Sequence, residues 1–163
     1  MHMGNTLHKP GRRAFLKGGS GRKTFVVRLP WLASHRFVDD CTRCGECLAA
    51  CPEKIIVASA GGFPSINFAQ GECTFCGACA DACPESLFDR RRAAPWKLKA
   101  SISGECLAKK RVMCRSCEDA CAQKAIAFKP APRRPPLPEI NIADCTGCGG
   151  CVSVCPENAI AIQ

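Results

Sequence analysis

Sixteen cysteines stand in this chain in four groups of four, and their spacing constrains the fold more than any other feature. The groups are CTRCGECLAACP from Cys41, CTFCGACADACP from Cys73, CLAKKRVMCRSCEDAC from Cys106 and CTGCGGCVSVCP from Cys145. Three of them follow C-x2-C-x2-C-x3-C-P without deviation. In that run three close thiolates hold one 4Fe-4S cubane, and the fourth ligates the cubane of a partner motif.

The spacing has a physical basis. Two residues between ligands let the backbone curl around a cubane corner and aim its N–H groups at the sulfurs. Gly45, Gly77, Gly149 and Gly150 permit that close approach. The x3 step is expected to carry the last cysteine onto a short helix, with Pro52, Pro84 and Pro156 turning the chain away after it. Zinc usually takes two C-x2-C pairs separated by a loop, and needs neither a third nearby cysteine nor a following proline. A disulfide framework belongs to secreted chains, and no complete secretory signal is evident.

The third group departs from the rule. Seven residues separate Cys106 from Cys114, and Ala122 stands where the proline would be. Either Cys106 is a free thiol beside a three-iron site or no site, or the segment LAKKRVM bulges between two ligands of an ordinary cubane. The second reading is preferred, because losing the cluster would leave three buried thiols without a purpose.

The chain has 163 residues, 6% aromatic and without tyrosine, so each half has little apolar area to fold around unless metal or cross-links help. Strand-like segments flank the cysteine loops. KIIVAS and PSINF bracket Gly61 and Gly62, and AIAFKP is expected to pair with PEINIAD across the proline-rich APRRPPL. The fold class expected is α+β, with two bacterial-ferredoxin-like units of short hairpins and short helices and a basic N-terminal arm. The boundaries are 1–36 for the arm, 37–88 for the first unit, 89–97 for a basic linker and 98–163 for the second unit. Its DRRRAAPWK stretch reads as a solvated linker or a partner docking patch.

Crossed ligation then gives four sets. They are Cys41, Cys44 and Cys47 with Cys83; Cys73, Cys76 and Cys79 with Cys51; Cys106, Cys114 and Cys117 with Cys155; and Cys145, Cys148 and Cys151 with Cys121. Cubanes ligated by four cysteines leave no open iron, which points to electron transfer and away from substrate chemistry. His2, His8 and His35 all lie in the arm, and no nucleophile set or phosphate loop is visible, so no enzyme is expected.

Charge is unevenly placed. Residues 1–36 hold eight Lys or Arg and no acid, while the rest hold 15 bases against 14 acids. Four oxidised cubanes with their thiolates would add about −8, leaving a basic arm beside an anionic core. That balance and the scarcity of aromatics argue against nucleic-acid binding. No apolar run of 18 residues exists, so no membrane span is expected. Arg12 and Arg13 in GRRAFLKGG have the look of a twin-arginine export signal, yet Arg22, Lys23, Arg28 and Pro30 break up the apolar stretch that must follow. Cytoplasmic residence is expected, with periplasmic export by the twin-arginine route as the alternative. The two arginines remain possible docking residues for an acidic partner surface.

The stretch GGFPSINFAQGECTFCGACADACPESLF, the order of the four motifs with a stretched third, and the lead-in WKLKASISGECLAKK together resemble the NapF family, from about residue 12 to the end. These are ferredoxin-type accessory proteins of the periplasmic nitrate reductase system. The resemblance implies a cytoplasmic protein with four 4Fe-4S clusters that acts on the molybdenum-containing catalytic subunit before its export, installing or reducing that subunit's own cluster. It carries the ligand role onto the sixteen cysteines named above, Cys106 being the least typical. NapG-like relatives, which are exported and pass electrons to the reductase, are the alternative class, and a general multi-cluster electron carrier or a subunit of another redox complex is a third reading.

Overall fold

The computed structural model describes residues 26–33 and 37–163. Among them every helix is a single turn and every sheet has two strands. Such short elements cannot bury enough apolar surface alone, so they depend on what the loops between them hold.

In the first unit β1 (Ile56–Ala58) pairs antiparallel with β2 (Pro64–Ile66), Ile56 facing Ile66. Gly61 and Gly62 form the turn at φ of 80° and 79°, a left-handed region that glycine enters at no steric cost. The expected hairpin is therefore present. In the second unit β3 (Ala100–Ile102) pairs with β6 (Ile160–Ile162), tying the start of the unit to its end. The longer hairpin is β4 (Ile126–Ala131) with β5 (Arg134–Ile140).

That second hairpin differs from the expectation in one respect. The turn is confined to Pro132 and Arg133, and Pro135, Pro136 and Pro138 lie within β5. A two-stranded ribbon leaves one edge of each strand unpaired, so a residue without an N–H is tolerated there.

Among the described residues there are five α-helices: α1 (Phe37–Asp40), α2 (Glu46–Ala49), α3 (Ala78–Asp81), α4 (Ser116–Asp119) and α5 (Gly150–Ser153). The last four each carry the third cysteine of a group, and the fourth cysteine follows beyond the helix end. The x3 spacing predicts the fourth on the helix. A helix of one turn is already complete by then, and Cys51, Cys83, Cys121 and Cys155 instead begin the turn that leaves it.

The arm boundary at residue 36 also needs correction. Val27, Leu29 and Pro30 are buried, Ile66 N–H donates to the Val27 carbonyl at 2.9 Å, and Leu32 bridges to Phe88. Residues 26–33 are thus packed as an extra strand-like edge of the first unit. Counting charge over the whole segment hid the apolar Val26–Leu32 run within it. Arg12, Arg13 and His35 fall outside the described residues.

A continuous apolar core runs from Val27, Leu29 and Ile55 through Phe68 to Ile126 and Ile160, and Cys51, Cys79, Cys117, Cys145 and Cys151 are part of it. The 89–97 segment is bound to the body, not merely solvated. Arg90 pairs with Asp81 at 2.6 Å, and Trp31 N–H donates to the Pro95 carbonyl at 2.7 Å. No helix among the described residues is long and apolar enough to cross a membrane.

Candidate metal centres

Three of the four loops turn into their helix through a glycine: Gly45, Gly77 and Gly149 cap α2, α3 and α5 at φ of 86°, 83° and 88°. The residue before the second cysteine is also left-handed, as Arg43, Phe75 and Gly147. Two consecutive reversals of this kind curl a loop and point successive side chains inward. The third loop achieves its helix differently, with Arg115 at φ −137° in the capping position.

In three of the four sets the thiols gather as three plus one. Cys41, Cys44 and Cys47 line a void with Cys83. Cys73, Cys76 and Cys79 line one with Cys51. Cys106, Cys114 and Cys117 line one with Cys155. In each, the lone cysteine comes from the sister loop of the same unit. For the last set, Cys145 and Cys148 crowd Cys151, and Ala120, the neighbour of Cys121, turns its carbonyl toward Gly150.

Burial and mutual repulsion mark the same gatherings. Desolvation, assisted by neighbouring thiols, pushes Cys79 and Cys151 up to about 12, and Cys47, Cys73 and Cys117 to about 11. Thiols in such a place ionise only when a cation takes the proton's position, which is how metal loading becomes coupled to proton release. Among the described residues no three Cys, His, Asp or Glu side chains converge closely enough to hold a single ion, so the thiols frame a void and not a point. Backbone amides already face several sulfurs: Ala125 N–H to Cys121 and Ala159 N–H to Cys155 at 3.3 Å, and Ala100 N–H to Cys145 at 3.4 Å. Such N–H···S contacts stabilise thiolate charge and tune cluster potential. Donor chemistry and cavity shape both suit cubanes.

The stretched loop is folded in its own right. Lys110 N–H donates to the Cys106 carbonyl at 3.0 Å and Val112 N–H to that of Leu107 at 2.9 Å, while Ala108 is fully buried. The Lys110 ammonium sits 2.5 Å from Glu105, whose carboxylate holds it above its usual pKa. These contacts fold the insertion back so that Cys106 reaches the same void as Cys114. After Cys121 the chain still turns, Lys124 N–H donating to the Cys121 carbonyl at 2.9 Å, without the proline.

Two arrangements were not legible in the sequence. Arg28 lies over Phe37 at 4.5 Å and Arg43 over Phe63 at 4.3 Å, with the two rings 5.6 Å apart, beside the first void. Cations stacked on aromatic faces are held close to a site that becomes anionic when filled. The second is Trp96, whose Nε1–H donates to the Thr146 carbonyl at 2.8 Å and whose ring meets Phe75 at 5.3 Å and Phe68 at 6.2 Å. A lone tryptophan in an arginine-rich linker was the one available signal.

With this geometry in view, the comparisons with known proteins agree. The profile of the 4Fe-4S dicluster domain matches the chain twice, over residues 40–87 and 110–159. Those spans contain fifteen of the cysteines; Cys106 lies outside because of the insertion. The ferredoxin-type protein NapF of Escherichia coli strain K12 is 42% identical over 153 residues, 93% of either chain. The chain belongs to the NapF family. Its relative of the same name in Haemophilus influenzae strain Rd is 43% identical over 169 residues, 97% of this chain and 96% of that one. No solved structure matches it. It is accordingly a protein of multiple 4Fe-4S clusters, as its family and its two dicluster spans require.

Proposed function

We propose that the sixteen cysteines hold four 4Fe-4S clusters in the four crossed sets, and that the protein is a cytoplasmic accessory factor for the molybdenum-containing catalytic subunit of the periplasmic nitrate reductase. The observation that supports the cluster assignment is the three-plus-one lining of three voids, in each of which the lone cysteine comes from the sister loop; the fourth set, Cys145, Cys148 and Cys151 with Cys121, is assigned by the same pattern. Bound cubanes would supply one-electron chemistry. The chain's residues fix where that happens: four thiols close each site, so no ligand position is left for a substrate, and the amides opposite Cys121, Cys145 and Cys155 set the local electrostatics.

The accessory role is supported by family membership and by the family resemblance of the flanking sequence. Its chemistry is delivery of electrons or of a cluster to the immature catalytic subunit before export. The test is an anaerobic pull-down with the full chain, which should recover the catalytic subunit. Failure of recovery, together with full nitrate reductase activity in a strain lacking this gene, would refute the role. Cytoplasmic residence predicts that residues 1–36 fused to a twin-arginine export reporter leave it inside the cell; robust export would place the protein with the periplasmic electron carriers.

A further inference from the structure

The order of the cysteine groups along the chain is not their order in space. Within the first unit, α2, which carries Cys47 of the first set, packs against α3, which carries Cys79 of the second. Within the second unit, α4, which carries Cys117 of the third set, packs against α5, which carries Cys151 of the fourth. Between units the neighbours are the second and fourth loops. Cys73 N–H donates to the Cys148 carbonyl at 2.8 Å, a direct backbone bond between two ligand-bearing residues of different units.

Everything else at the junction serves that contact. Trp96 is held by Phe75 of the second loop and by the Thr146 carbonyl of the fourth. From the first unit, Phe68 lies so close to Gly149 that a Cβ there would fall inside its ring, and the Glu72 carboxylate presses in the same way on Gly150; Leu98, at the start of the second unit, leaves no room for a Cβ at Gly147. The fourth loop is glycine-rich where it touches the first unit, which allows backbone to approach backbone. By contrast, the first void is lined only by residues 37–88 and the third only by residues 102–160.

We infer that the four sites form a single row in the order first, second, fourth, third, with the two units joined through Cys73 and Cys148. Trp96 and Gly149 are positioning residues for that junction. With clusters bound, the row would join the two dicluster units into one electron carrier, the second and fourth sites meeting through Cys73 and Cys148 and the first and third sites forming its ends. The inference rests on the crossed ligand sets proposed above.

Two double variants of the full chain test it, reconstituted anaerobically and reduced with dithionite for electron paramagnetic resonance. Cys44→Ser with Cys114→Ser removes the two end clusters, and the remaining pair should show a split or broadened spectrum from spin–spin interaction. Cys76→Ser with Cys148→Ser removes the two central clusters, and the remaining pair should give simple uncoupled signals. The opposite pattern, with iron near 8 per chain in both variants, would overturn the order. Iron that failed to fall by about 4 per substituted set would instead overturn the ligand assignment and leave the packing order to the third variant. That variant, Gly149→Ala, drives a methyl into the Phe68 ring, and should weaken the coupling between units while the coupling within each persists. Unchanged inter-unit coupling in it would count against the junction.

Discussion

The second and third cysteine loops reach the same end from different sequences. The second has the regular spacing, Gly77 at φ 83° before its helix and Pro84 after its last cysteine. The third has a seven-residue gap, Arg115 at φ −137° and Ala122. Yet each puts its third cysteine, Cys79 or Cys117, buried on a one-turn helix, and each void is closed by a cysteine from the sister loop. The difference teaches which parts of the motif the site depends on. A helix turn and a crossing cysteine are common to both. The approach to the first ligand and the proline are replaceable, provided local hydrogen bonds such as Lys110 N–H to Cys106 do their work.

The sharpest way to break this equivalence is to remove one ligand from the irregular loop. Cys106→Ser and Cys117→Ser should each lower iron by about 4 from about 16 per chain, by anaerobic iron analysis. Retention of all the iron in Cys106→Ser alone would show that the two loops are not equivalent after all. Next in size, Trp96→Ala should destabilise the protein by about 3 kcal/mol in anaerobic denaturant unfolding, because a large ring leaves a packed junction. Trp96→Phe keeps the ring, loses the Nε1–H bond to Thr146 and should cost about 1 kcal/mol. Since Trp96 touches the second and fourth loops and not the third, cluster loss in Trp96→Ala should spare the third site.

Backbone geometry separates the loops more finely. Gly45→Ala should cost about 1 kcal/mol, since its φ is 86° and no neighbouring atom lies within 4 Å, so the penalty is conformational alone. Arg115→Gly should also destabilise, by roughly 0.5–1 kcal/mol from added chain entropy. A stabilising effect there would mean that the third loop takes the left-handed turn of the others. The smallest change expected is in Lys110→Ala, which unpins the exposed insertion from Glu105. Unfolding should shift slightly and less at high salt, with iron content unchanged.

Much of this site was legible because cubane ligation imposes a fixed spacing on sequence. Three of the crossed sets expected from the position of the fourth cysteine are found lining a common void, and the Gly61–Gly62 hairpin follows from two adjacent glycines that suit a turn. What was not legible depends on contacts distant in the chain. Nothing local in Ala100–Ile102 announces its pairing with Ile160–Ile162. Val27, Leu29 and Pro30 stand in a segment dominated by charge, though their burial packs residues 26–33 against the first unit. The three prolines of β5 argued for a loop, because a strand in a wide sheet could not accept them, and only the two-stranded ribbon makes them compatible. The junction through Trp96 needed both units in place before a linker residue could be seen as a clasp.

If the stretched third loop completes a fourth cubane equal to the other three, metal content will show it directly. Iron, acid-labile sulfide and zinc should be counted in the full chain after anaerobic purification. The account predicts about 16 iron and about 16 sulfide per chain with negligible zinc. A reproducible value near 12 of each would remove the third cluster, and zinc in place of iron would contradict the reading of all four loops.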